Sequence, residues 1–318
     1  MDVAEQYRRF VVREVRGHSA IYEETAERIA DDPELIALIE GLPVPKRQPN
    51  LLLASVRFLG GPVGDYPVFR AWLTTHWDRV RETVLRHRTQ TNEAGRCAVL
   101  LPLLASLPQP LALIEVGTSA GLCLYPDRYR YRYDERPPLG PADSPVSLPC
   151  RTTGPVPFPE RPPSVVWRAG VDLNPLDVRD DEQVRWLECL IWPEQTHRLD
   201  RLREAVRIVR AEPPHLVRGD LNRTVRELVA RAPRGATPVV FHSAVMPYLS
   251  DGERQSFTET VRSLPGHWIS NESPRLFPSV EARLPHAVSE DRAVFALALD
   301  ERPVALGSPH GQWLEWFD

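Results

Sequence analysis

The stretch Leu111-Ala-Leu-Ile-Glu115-Val-Gly117-Thr-Ser119-Ala-Gly121-Leu-Cys-Leu124 decides the fold, and it spells two different enzymes. An apolar run ends at Glu115, a glycine-bounded turn runs from Gly117 to Gly121, and a helix-compatible stretch follows. As Gly117-x-Ser119-x-Gly121 the turn matches the nucleophile elbow of a serine hydrolase. As Glu115-x-Gly117-x-x-x-Gly121 it matches the first loop of an S-adenosylmethionine-dependent methyltransferase. In that reading the acid holds an ordered water or the cofactor's amino group. The glycines let backbone approach the methionine moiety, and helix amides accept its carboxylate. A nicotinamide fingerprint, G-x-G-x-x-G, does not fit, because Ser119 and Leu122 stand where it needs glycine.

Position separates the two spellings. A hydrolase nucleophile follows several strands and an oxyanion-donating loop, whereas nothing before residue 111 alternates like a strand. Residues 1–108 read as a helical cap domain: Asp32-Pro33 is an N-cap with proline at the first helical position, and Thr91 can cap a helix carrying Ala94, Cys97, Ala98 and Leu101 on one face. From 109 to 318 the texture alternates between strand and helix, the mark of an α/β domain with a parallel sheet. Strands are expected at 111–116, 129–133, 165–173, 215–218, 238–241 and 267–270. Helices are expected at 180–210 (broken near Pro193), 222–232 and 251–264. A closing antiparallel hairpin is expected within 293–316. Residues 137–163 hold ten prolines and read as an irregular insertion. The fold expected is a Rossmann-like class I methyltransferase sheet, mainly parallel, behind an N-terminal helical cap.

With 318 residues, 42% of them hydrophobic, the chain can bury a sizeable core. A formal net charge of −4 argues against a protein built to coat nucleic acid or an anionic membrane. The four cysteines are scattered and form no C-x-x-C, and the N-terminus has no apolar leader, so a cytoplasmic protein with reduced thiols is expected. The run from Cys97 to Val116 is broken by Pro102, Pro108 and Pro110, which does not suit a membrane span. Arg128, Arg130 and Arg132 alternate with Tyr129, Tyr131 and Tyr133, which in a strand gives one solvated and one buried aromatic face. Trp186, Leu187, Leu190 and Ile191 read as a helix packing stripe.

For S-adenosylmethionine, Glu115, Gly117, Ser119 and Gly121 would bind the methionine end, with Asn92 and Arg96 beside them. A planar guanidinium at Arg96 suits the cofactor carboxylate. Asp172 would hold the ribose, with Asp134 as the other acid at plausible spacing, and Asp220-Leu221 would hold the adenine. His242, oriented by Glu272, would be the base that deprotonates a small-molecule acceptor. Two further readings stay open. One is a regulatory protein that binds a metabolite on the same fold without catalysis. The other is a hydrolase using Ser119.

Longer motifs carry a resemblance. Gln90-Thr-Asn92-Glu93-Ala-Gly-Arg96-Cys97, Glu115-Val-Gly-Thr-Ser-Ala-Gly121-Leu and Asp127-Arg-Tyr-Arg-Tyr131 are three of them. Arg168-x-Gly170-x-Asp172-Leu-x-Pro175-Leu-Asp177-Val, Arg185-Trp-Leu187, Trp192-Pro193, Arg218-Gly-Asp220-Leu and Val240-Phe-His242-Ser243 complete the set. The chain resembles, through nearly its whole length, the bacterial family called domain of unknown function 2332. That resemblance implies a mainly actinobacterial cytoplasmic protein with a methyltransferase-like fold, and it supplies no substrate.

Overall fold

The structure, a computed structural model, describes residues 2–90, 92–288 and 293–317. Thr91, expected as a cap, lies outside the described residues. In chain order the helices are α1 (Val3–Phe10), α2 (Ala20–Ala30), α3 (Pro33–Glu40), α4 (Pro49–Phe58), α5 (Tyr66–Thr75), α6 (Trp77–Arg86), α7 (Cys97–Ser106), α8 (Asp181–Leu190), α9 (Thr196–Ala211), α10 (Leu221–Ala230), α11 (Asp251–Arg262) and α12 (Pro278–Glu281). The strands are β1 (Leu111–Val116), β2 (Arg130–Tyr133), β3 (Ser147–Thr153), β4 (Val165–Asp172), β5 (His215–Arg218), β6 (Thr237–Ser243), β7 (His267–Glu272), β8 (Phe295–Leu299), β9 (Arg302–Gly307) and β10 (Trp313–Trp316). Among the described residues, no helix is long and apolar enough to cross a membrane.

The chain divides into two compact units, Met1–Thr91 with Arg179–Asp200, and Asn92–Val178 with Arg201–Asp318. The first is helical. Asp32 caps α3 as its sequence demands, accepting from the N–H groups of Glu34 and Leu35 at 3.1 Å each. The division differs from a boundary at 108/109 in two places. The α8 segment joins the helical unit because its stripe is apolar: Trp186 is buried, its ring meets Phe58 edge-on at 5.6 Å, and its indole N–H donates to the Arg88 carbonyl at 3.0 Å. Helix α7 joins the other unit because it is apolar on every side, with all residues from Cys97 to Leu104 buried.

The second unit is α/β, built on one mostly parallel ten-strand sheet of order β2-β3-β10-β9-β8-β7-β6-β1-β4-β5. All six residues of β1 are buried, as a strand covered on both faces must be. It lies between β4 and β6, parallel to both. Five strands thus run β5-β4-β1-β6-β7, so the order reverses at β1, and ligands of open α/β sheets bind at the carboxyl ends beside such a reversal. Helices α10 and α11 cover one face through Val225, Leu228, Phe257 and Val261, packed with Ile114, Val116, Ala169 and Val171.

Two sequence expectations are corrected here. The segment 137–163 is not irregular throughout, since β3 lies inside it, parallel to both β2 and β10. The signal was alternation at Val146, Leu148 and Cys150, all buried, while Pro149 faces outward. The closing part is also longer than a hairpin. β8, β9 and β10 form an antiparallel meander beside β7. Tyr131 and Tyr133 of β2 and Tyr129 just before it do face inward, and each hydroxyl donates to a carbonyl at 2.6 Å: Tyr129 to Leu122, Tyr131 to Pro126 and Tyr133 to Ala98.

Because Leu148 is 1% exposed, Leu148→Ala should cost about 2–5 kcal/mol in urea unfolding. Pro149→Ala should stay within about 1 kcal/mol, as surface changes do. Equal costs would mean that this strand is wrongly placed.

Candidate functional site

The site begins where β1 ends. Gly117, Ser119 and Gly121 all have left-handed backbone, with φ of 70°, 49° and 74°. The chain can turn this sharply because two of the three are glycines. Three side chains then lock the turn. The Asp172 carboxylate, at the end of β4, accepts from the Ser119 N–H at 2.8 Å through one oxygen and from the Asn174 N–H at 2.7 Å through the other. Asn92 donates to the Thr118 carbonyl at 3.2 Å and accepts from the Leu122 N–H at 3.1 Å. The Thr118 hydroxyl donates to Glu115 Oε2 at 2.9 Å.

The glycines are spent inside the protein. A Cβ on Gly117 would lie 2.2 Å from Val245 Cγ2, and one on Gly121 would lie 3.1 Å from Pro214 Cγ. The close approach expected from a ligand is therefore made, at Gly117, by a packed valine. Ser119 differs: its Oγ is buried with no hydrogen-bond partner among the described residues. A nucleophilic serine needs a base within hydrogen-bond reach, and among the described residues this hydroxyl has none.

Burial pushes the Glu115 carboxyl well above the usual carboxylate range. Cys123 and Asp172 add to the rise, while Thr118 and Arg96 oppose it. Glu115 is thus a buried acid that anchors the turn. Arg96 is 5% exposed and spends its guanidinium on the carbonyls of Pro309 at 2.9 Å and Ser243 at 3.0 Å. It ties loops together where the sequence suggested a ligand contact.

His242 has a different position from the one expected. Glu115 is level with Phe241 in the sheet, so His242, one residue on, projects from the opposite face. It is fully buried against Phe257, Trp268 and Phe277. The Trp268 indole can only donate, and it donates to His242 Nε2 at 3.0 Å. The ring proton therefore sits on Nδ1, which donates to Glu272 Oε1 at 2.8 Å. With both nitrogens engaged and no exposed edge, His242 is not placed to take a proton from a substrate. Glu272 Oε1 also accepts from the N–H groups of Val245 at 2.8 Å and Met246 at 3.4 Å, so the pair holds the segment that covers Gly117.

The two ribose acids are separated by the sheet. Asp134 follows β2, seven strands from β1, roughly 34 Å away at the usual strand spacing. There it accepts from the N–H of Thr152 at 3.1 Å. Asp172 is beside the turn. Asp220 is exposed and caps α10 through Oδ1, accepting from Asn222 and Arg223, with half-buried Leu221 next to it. Among the described residues no cluster of three or more His, Cys, Asp or Glu side chains could hold a metal ion.

Sequence reasoning missed Val245 and the Thr118–Glu115 bond. Neither has a periodic or spacing signal. It also missed that Arg168 forms a two-pronged ion pair with Asp127, at 2.9 and 2.7 Å.

Fold and turn together define an α/β protein whose glycine turn sits at the carboxyl end of the central strand, where the strand order reverses. The chain belongs to the family described as uncharacterized protein conserved in bacteria, domain of unknown function 2332, whose profile matches residues 4–316. No curated protein and no solved structure matches it.

Glu115 gives a pH test. Its folded-state value is raised above the ordinary one near 4.5, so the stability it contributes is complete below about that pH and is lost as pH rises toward the folded value. Glu115→Gln, which mimics the neutral acid, should remove that loss. Between about pH 4.5 and the folded value the wild type should fall relative to the variant by up to about 1.4 kcal/mol per pH unit, read by urea unfolding. Parallel stability curves would mean that the folded chain carries an ionised Glu115.

Proposed function

We propose that this protein binds S-adenosylmethionine at the carboxyl ends of β1 and β4 and transfers its methyl group to a small acceptor. One observation carries the reading. An acid-glycine turn sits at the strand-order reversal, with Asp172 of the next strand bonded into it. A Rossmann-like methyltransferase arrangement accounts for the order β5-β4-β1-β6-β7 together with antiparallel closing strands.

The residues fit such a ligand at two points. The Ser119 hydroxyl is buried with an unfilled hydrogen-bond valence. Asp172 is half-buried, and each carboxylate oxygen makes one bond, leaving further lone pairs for ribose hydroxyls. Asp220, with Oδ1 used for capping, and Leu221 stand at the next strand end for the adenine. Asn92, Arg96, Glu115, Gly117 and Gly121 act as the frame that fixes these groups. When bound, the cofactor supplies an electrophilic sulfonium methyl group. The chain's part is to orient the acceptor, and orientation supplies much of the rate in such displacements.

Calorimetry with S-adenosylmethionine and its demethylated product, S-adenosylhomocysteine, tests the reading. Both should bind, and Asp172→Ala should weaken them by roughly ten- to a hundredfold, the worth of a charged hydrogen bond. No heat with either at millimolar concentration would overturn it.

A further inference from the structure

The four cysteines are scattered in the sequence, yet two of them meet beside the glycine turn. All four are free and buried. Cys97 opens α7, and Cys123 lies two residues beyond Gly121 in the short turn Leu122–Leu124. The turn Ala94–Arg96, which leads into α7, packs against Leu122–Leu124. Asn92 ties the two segments together by accepting from the Leu122 N–H at 3.1 Å.

The Cys97 thiol donates to the Cys123 carbonyl at 3.5 Å, and the Cys123 thiol donates to the Glu93 carbonyl at 3.4 Å. The two sulfur atoms are also hydrogen-bond neighbours of each other. A thiol is a weak donor, so the carbonyl bonds oppose only weakly a rotation of the two sulfurs toward one another. Among the described residues no second thiol acts on Cys150 or Cys189. The thiolate is the reactive form of cysteine. The bond from Cys97 holds the Cys123 thiol below its ordinary value, and Arg96 adds to this while burial opposes it. Burial pushes the Cys97 thiol up. Cys123 is therefore the sulfur that reacts first and Cys97 the one that follows.

We propose that Cys97 and Cys123 form a reversible disulfide, a redox switch on the glycine turn, with a hydroperoxide as the oxidant. The oxidant has to be small, because the two residues are only 0% and 4% exposed. The Cys123 sulfur attacks a peroxide oxygen and the O–O bond breaks. With hydrogen peroxide, the leaving oxygen takes the thiol proton and departs as water, and Cys123 becomes a sulfenic acid. The Cys97 sulfur then attacks the Cys123 sulfur. The S–O bond breaks, and its oxygen leaves as a second water with the Cys97 proton. Two thiols have lost two electrons, which have reduced one peroxide to two waters. A dithiol reductant reverses the step by exchange. The bridge has no S–H, so both carbonyl bonds are lost, and the end of the glycine turn is fastened to the start of α7 instead. The proposal is independent of the methyl-transfer reading.

Trypsin gives a direct readout, because no Lys or Arg lies between Arg96 and Arg128 and both cysteines fall in the one peptide 97–128. The native full chain is treated with hydrogen peroxide, unfolded in N-ethylmaleimide, digested and analysed by mass spectrometry. Peptide 97–128 should lose two hydrogen atoms and take up no maleimide, while Cys150 and Cys189 are still alkylated. Dithiothreitol should restore both thiols. In Cys97→Ser the reaction should stop at a Cys123 sulfenic acid, captured by dimedone. Amide exchange over residues 119–124 should change about threefold or more on oxidation of the wild type. Maleimide on both Cys97 and Cys123 after peroxide, or a bridge from either to another cysteine, would overturn the proposal. So would a bridge that leaves that exchange unchanged, or the lack of a dimedone adduct in folded Cys97→Ser. Should that variant fail to fold, the mass of the wild-type peptide decides.

Discussion

The Asp172 carboxylate joins the ends of two strands into one site. One oxygen takes the Ser119 N–H and the other takes the Asn174 N–H. The turn it holds has three left-handed residues within five, one of them a serine. Such backbone persists only where its surroundings over-determine it. Asn92, Thr118 and Asp172 supply that restraint from three directions, and Glu115 anchors it from below as a buried acid. The rest of the rim is arranged around a turn that is already rigid.

That rigidity explains the work done by residues that look catalytic in a sequence. Glu272 collects three N–H donors on one oxygen, from His242, Val245 and Met246. Val245 in turn packs on Gly117, where only glycine leaves room. The His242–Glu272 pair is thus a strut beneath the covering segment. It stands on the opposite face of the sheet from Glu115.

Much of the fold is legible in the residues. The apolar run 111–116, the Asp32-Pro33 cap and the tyrosine alternation at 129–133 each state their local structure, because burial and capping depend on near neighbours. The strand at 147–153 is hidden by Pro149 and the prolines that flank it, and its partners β2 and β10 lie far apart in the chain. Side-chain partnership is less legible still. Nothing in the spacing of His242 and Trp268 says that an indole will occupy Nε2. Nothing in Asp134 and Asp172 says which is next to β1 until the sheet order is known.

Amide hydrogen exchange of the full chain, with and without S-adenosylhomocysteine, tests most directly the claim that this turn is a ligand site. The account predicts slowed exchange concentrated in residues 117–122 and 172–176, where the Asp172 bonds lie. Slowing confined to other segments, or none with the ligand at millimolar concentration, would contradict it.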